Sequence, residues 1–278
     1  MPADNPGMGS ASVADAIEEA RNPDGGFGPV AGADSEPETT AMVALATGDE
    51  RARTWVEAAQ RPDGSVGDRA GDVFRDLTSL AALVLPAGAA REHALDHLEA
   101  ARATKTGEDP NVPHDPSARG WPWTTGTFGW VEPTSWAVLA LRSLRPGSGV
   151  IADGLALLAD RECDGGGWNY GNAEAFGQSL VPFGQTTAMA LLALHDAAPG
   201  LEQRGLAALR RLAEEERDGT LTLALATVAF RVYGQAQAER TARWLRDALA
   251  LPDPLDTATL AWAALALGSD PGKALLGR

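Results

Sequence analysis

One pattern recurs along the chain and constrains the fold more than any other feature. A polar start, a Thr or Ser, and a dense Ala/Leu run make up "SEPETTAMVALA" (35–46), "FRDLTSLAALVL" (74–85), "VEPTSWAVLAL" (131–141) and "FGQTTAMALLAL" (183–194). Looser copies follow as "DGTLTLALATVAF" (218–230) and "DPLDTATLAWAALAL" (253–267). With Thr40, Ser79, Ser135, Thr187, Thr222 and Ala258 taken as equivalent, the spacings are 39, 56, 52, 35 and 36 residues. Such a period is the signature of a repeat architecture. These segments are apolar nearly all round, so they read as buried helices.

A second type of segment precedes each copy: 12–21, 51–60, 91–103, 151–163, 201–216 and 239–250. There, apolar residues fall at i, i+3, i+4 and i+7 among charges, the pattern of a helix with one wet face. Asp-Gly turns, "NPDGGFG" (22–28), "RPDGSVG" (61–67), "ECDGGGW" (162–168) and "RDGT" (217–220), follow several of these segments. Glycine supplies the positive φ that ends a helix. Six pairs of one buried and one amphipathic helix predict an all-α α6/α6 toroid, with six parallel inner helices inside six antiparallel outer ones. Closure covers both flanks of every inner helix without dedicated caps, which an open solenoid needs. The expected layout is a flexible N-terminus over 1–10 and one six-repeat domain over 11–278.

Composition agrees. The 278 residues are 44% apolar, rich in helix formers and poor in β-branched runs. The formal charge of −15 argues against nucleic acid and anionic membrane surfaces as partners. No apolar stretch approaches a membrane span, and "MPADNPGMGS" is unlike a signal peptide. Cys163 is the single cysteine, which excludes an internal disulfide and fits a cytoplasmic setting.

"CDGGGWNYGN" (163–172), "GWVEPTSWAVLAL" (129–141) and the "TTAMALLAL" helices resemble the prenyltransferase/squalene-cyclase repeat family, over about residues 11–268. The resemblance implies an α/α toroid with an apolar central cavity suited to an isoprenoid. In that family, proton-initiated cyclases carry D-x-D-D-T-A, with the middle Asp as the acid. "DPLDTA" (253–258) has Leu255 at that place, whereas "EPETTA" (36–41) has Glu38 there. The resemblance thus implies Glu38 as a candidate acid, with Glu36 and Asp256 as further catalytic candidates. The family's zinc ligands are an Asp, a Cys and a His. Cys163 with Asp160, Asp164 and His195 departs from their spacing, so no metal or cofactor is expected.

Capping competes with catalysis at these acids. Glu36, Glu38, Asp76, Glu132, Asp218, Asp253 and Asp256 all stand near inner-helix starts. The helix dipole favours acids there by ~0.3–1 kcal/mol and should hold their pKa values down, whereas a general acid needs its pKa raised. The aromatics concentrate on two long connections, 104–131 and 164–184, and on the helix starts they lead into. Trp123, Phe128, Trp130, Trp136, Trp168, Tyr170 and Phe183 are the candidates for a π-rich substrate pocket. His93 and His97 read as solvated residues of an outer helix. Arginines sit mostly on outer helices and no D-D-x-x-D cluster is present, which disfavours a diphosphate substrate.

Three functions stay open. One is a terpene cyclase-like isomerase acting on an apolar isoprenoid-like molecule. Another is a non-catalytic isoprenoid-binding or assembly module, working as a homo-oligomer or with a partner subunit. The last is a carbohydrate-active α/α barrel, which would use two carboxylates and stacked aromatics.

Overall fold

The computed structural model describes residues 10–70, 73–217, 219–251 and 254–277. Residues 1–9 of the segment expected to be flexible, and the expected helix-start acids Asp218 and Asp253, lie outside the described residues. In chain order the elements are α1 (Ser10–Glu19), α2 (Pro37–Thr47), α3 (Glu50–Ala58), β1 (Gly67–Ala70), β2 (Val73–Asp76), α4 (Thr78–Val84), α5 (Ala89–Ala100), α6 (Val131–Leu144) and α7 (Ile151–Asp160). They continue with β3 (Glu174–Ala175), β4 (Gln178–Ser179), α8 (Gly184–Leu194), α9 (Pro199–Glu215), α10 (Thr220–Val232), α11 (Gln237–Leu249), α12 (Thr257–Leu267) and α13 (Pro271–Leu276). The protein is mostly helical. Its described strands form two short antiparallel hairpins, with Gly67 opposite Asp76 in one and Glu174 opposite Ser179 in the other.

The Ala/Leu-rich segments form α2, α4, α6, α8, α10 and α12, which pack side by side in that order, and α12 packs in turn against α2. Their side chains are buried almost throughout, because each is flanked on two sides by its own kind. The amphipathic segments form the outer helices. α3, α5, α7, α9 and α11 each lie chiefly on the inner helix that precedes them, and α1 lies on α12, the last of the set. α13 touches α2, α6 and α10. The Ser143 hydroxyl, near the C-terminal end of α6, donates to the Leu275 carbonyl at 3.1 Å. α13 therefore covers the C-terminal end of the inner set.

One hydrogen-bond device repeats at the other end. The backbone N–H groups of Phe27, Val66, Trp121 and Trp168 each donate at 2.9 Å to a threonine hydroxyl, on Thr40, Thr78, Thr134 and Thr187 respectively. The hydroxyls of Thr40, Thr134 and Thr187 donate back to the carbonyl of the same residue, whereas that of Thr78 donates to Asp76 Oδ1 at 2.6 Å. Each threonine thereby satisfies the backbone N–H of a buried turn residue, and three of them its carbonyl as well. The equivalent residues of the second and third copies are consequently Thr78 and Thr134. The register expected at Ser79 and Ser135 is one residue too late, because only the threonine side chain reaches the turn.

The Asp-Gly turns follow the outer helices but do not cap them as expected: the C-caps Ala59, Arg161 and Glu216 have negative φ, and the positive φ comes later in the turn, at Gly64 and Gly165. These turns also carry a packing constraint. Gly166 has φ +92°, and a Cβ there would stand 2.8 Å from the Arg204 carbonyl of α9. The turn thus lies directly on the next outer helix, which no larger residue allows.

Candidate active site

The repeat places one residue, two before each of three threonines, in the first helical turn: Glu38 on α2, Glu132 on α6 and Gln185 on α8. One turn further in, at i+4, come Met42, Trp136 and Met189. Together with Leu80, Leu225, Asp256 and Trp262 these residues line a cavity of about 120 Å³ at the N-terminal end of the inner set. Its outer part is polar and its inner part apolar. The Trp136 and Trp262 rings lie 5.8 Å apart at a tilt of 34°.

The carboxylates of this cavity differ in their surroundings. Glu38 Oε2 lies 2.5 Å from Arg75 Nη1, and Arg75 Nη2 lies 2.5 Å from Asp68. The β1–β2 hairpin, which carries Asp68 and Arg75, holds this cation in place. Asp256 caps α12: one oxygen accepts from the Thr259 N–H and the other from its hydroxyl, each at 2.7 Å. Glu36 occupies the N-cap position of α2, yet its side chain makes no capping bond to the backbone; it accepts from the Thr39 hydroxyl at 2.6 Å. Backbone capping, expected for these glutamates, therefore does not describe Glu36.

Glu132 is the exception. Among the described residues it has no hydrogen bond and no ion pair, and Gln185 across the cavity has none from its side chain. Burial pushes the Glu132 carboxyl up to about 7, the nearby charge of Glu38 pushes the same way, and Arg75 offsets only part of it. The expectation that these acids are held down does not describe Glu132, whose burial and whose neighbour Glu38 raise its value. In the sequence Glu132 reads only as a helix-start acid. The signal that singles it out is its place two residues before the turn-binding threonine, which aligns it with Glu38 once the register is corrected.

The aromatic candidates separate. Trp136 lines the cavity, and Trp262, absent from the candidates, lines it too. Trp168 is fully buried with its indole N–H donating to the Leu158 carbonyl at 2.6 Å, so it packs the core. Trp123 lies on the loop whose backbone pairs with β2, its carbonyl accepting from the Asp76 N–H at 2.9 Å. Tyr170 and Phe183 pair with each other at 5.3 Å and are exposed. Phe128 and Trp130 pair at 4.8 Å and line a separate groove. The concentration of aromatics in 121–183 thus reflects several packing environments rather than one pocket.

His97 is not a solvated outer-face residue. Its Nε2 lies 2.8 Å from Asp76 Oδ2, and the Asp76 partner oxygen accepts from the Thr78 N–H and hydroxyl. Cys163 is buried, with Asn169 at 3.5 Å. Among the described residues no three His, Cys, Asp or Glu side chains are grouped closely enough to hold a metal ion. No described helix is long and apolar enough to cross a membrane. No protein-family model matches the chain, and no curated protein is similar to it.

Proposed function

We propose that this chain is an α6/α6 toroid whose central cavity takes up a small, mostly apolar molecule with one hydroxyl or carbonyl group, for which Glu132 is the proton donor. The toroid reading is supported by the packing of α12 on α2 and of α1 on α12. The observation that carries the functional reading is the pair Glu132 and Gln185. Both are without side-chain partners at the polar rim of a cavity floored by Met42, Met189, Trp136 and Trp262. A partly buried carboxyl without a partner is costly unless it is neutral or a ligand satisfies it. With a pKa of about 7 it is both donor and acceptor at neutral pH, which suits proton exchange with an oxygen-bearing group.

Size favours a binding module over a cyclase among the isoprenoid readings. A cavity of about 120 Å³ is close to one that holds benzene, about 150 Å³. It matches a single isoprene unit and is far too small for a polyene. The second reading, proton-initiated cyclisation, keeps one supporting observation, the two tryptophan faces that would stabilise a carbocation. Under it the acid is Glu132 rather than Glu38, whose carboxylate is held by Arg75.

Titration with prenol, cyclohexanone and benzene, followed by calorimetry, tests the binding reading. Saturable binding of prenol or cyclohexanone in preference to benzene is expected, and Met189→Trp, which fills the cavity, should abolish it. The reading fails if none of the probes saturates, or if Met189→Trp binds as well as the native chain. Product formation from squalene, lost in Glu132→Gln, would instead favour the cyclase reading.

A further inference from the structure

A second groove, of about 260 Å³, lies where the 104–129 loop meets residues 171–172 and the end of α7, and it shares no lining residue with the central cavity. Its chemistry is mixed. Phe128 is 48% exposed, and its ring leans against Trp130 at 4.8 Å and 41°. Trp130 is itself fixed from below: a Cβ on Gly171 would stand 3.1 Å from its ring, so the indole lies directly on the chain there. The result is a rigid aromatic platform with an open face.

Polar groups with spare hydrogen-bonding capacity surround the platform. Among the described residues, the Trp130 indole N–H and the Asn172 side-chain amide have no partner. Asp109 Oδ1 accepts from the N–H and the amide of Asn111, which leaves Oδ2 free. Arg161 is buried and pairs with Asp160 through one nitrogen only, so further N–H donors remain. His114 has none to spare, since Nε2 lies 2.6 Å from the Thr106 hydroxyl and Nδ1 2.6 Å from the Val112 carbonyl.

The charge balance decides between ligand classes. Arg161 is the one cation among the lining residues, and its charge is matched by Asp160, with Asp109 adding a further negative charge. A carboxylate or phosphate ligand would meet a net negative site. A neutral ligand that both donates and accepts, and that offers an apolar C–H face, meets complementary groups on every side. We propose that this groove binds a neutral pyranose ring, part of a saccharide, stacked on Phe128 and hydrogen-bonded to Asp109, Asn172, Trp130 and Arg161. The volume suits one ring, and the open side lets a longer saccharide extend into solvent. No bond is made or broken in this proposal.

Saturation-transfer NMR and calorimetry test it, with methyl β-glucoside, methyl β-galactoside and methyl α-mannoside as probes and benzoate and benzyl alcohol as controls. At least one glycoside should saturate while benzoate does not. Phe128→Ala should weaken that binding about tenfold, the size of one aromatic contact, and Asn172→Ala should weaken it as well. Phe128 is half-exposed, so its truncation leaves the core intact, and circular dichroism checks this. If Phe128→Ala fails to fold, Asn172→Ala carries the test alone. Met189→Trp, which blocks the central cavity, should leave glycoside affinity unchanged. The proposal is overturned if no glycoside saturates, if benzoate or benzyl alcohol binds more tightly than every glycoside, if the foldable groove variants bind as well as the native chain, or if Met189→Trp removes the binding.

Discussion

Glu132 stands without a partner where burial raises its pKa from 4.5 to about 7, and this has a consequence for stability. A carboxyl that holds its proton more tightly when folded stabilises the native state most when protonated in both states, below pH 4.5. That advantage is lost as pH rises through about 7. Glu132→Gln keeps the shape and removes the charge. It should match the native chain at pH 4.5 and exceed it at pH 8, by up to about 3 kcal/mol. Urea unfolding at the two pH values measures the difference, and equal stability at pH 8 would refute the assigned pKa. Arg75 acts the other way, because its charge lowers the Glu132 value. Arg75→Met should therefore move the Glu132 midpoint above its native position, read by NMR of the labelled carboxyl. The sequence pointed to Glu38 through a motif, yet Glu38 is held by an arginine 37 positions away. A partner brought in by the β1–β2 hairpin leaves no local trace, so the contrast between two similar glutamates was invisible before folding.

At the level of elements, one titrating pair joins the end of β2, through Asp76, to α5, through His97. Burial pushes the Asp76 carboxyl up, but hydrogen bonds from His97 and Thr78 outweigh it and leave it below the ordinary value. Burial likewise pushes His97 down, while the hydrogen bond to Asp76 and the charges of Asp76 and Asp63 outweigh that and raise it. The signs define a window. The contribution of His97 is full below its unfolded value of 6.5 and is lost as pH rises through its raised folded value. That of Asp76 is full above 3.8 and is lost as pH falls through its lowered folded value. His97→Gln should destabilise by about 1.5–3 kcal/mol at pH 5.5 and by clearly less at pH 9, as thermal unfolding would show. A deficit independent of pH would mean that the pair is not charged. The helices themselves were legible, because the 3.6-residue periodicity of 91–103 and the apolar run of 183–194 admit little else. The side-chain bond between His97 and Asp76 was not, since an i, i+4 histidine pair on a wet-looking helix says nothing about what the preceding strand brings to it. The first hairpin leaves no sequence signal for a related reason: "GDRAGDVFRD" (67–76) is short, charged and without apolar alternation, and its described residues pair with one another and with the neighbouring loop.

For the whole molecule, the decisive contacts join the chain's two ends. Every other outer helix lies chiefly on the inner helix before it, but α1, with no inner helix before it among the described residues, lies on α12, more than 200 residues away in sequence. In an open array each repeat leans only on its neighbours, so damage to the first unit frays that end and spares the rest. Where the last inner helix rests on the first, both neighbours of every unit are present, and loss of one contact is felt throughout. Ile17, 3% exposed on α1, belongs to the core. Ile17→Ala should cost about 2–5 kcal/mol. The size alone does not separate the two architectures, but its distribution does. Native-state hydrogen exchange should show protection falling by a similar factor in α1, in α12 and in α6 and α8 on the far side, because the slowest amides exchange through one global opening. Loss confined to α1 and α12, with α6 and α8 unchanged, would mean that the ends meet without closing the structure into one cooperative unit.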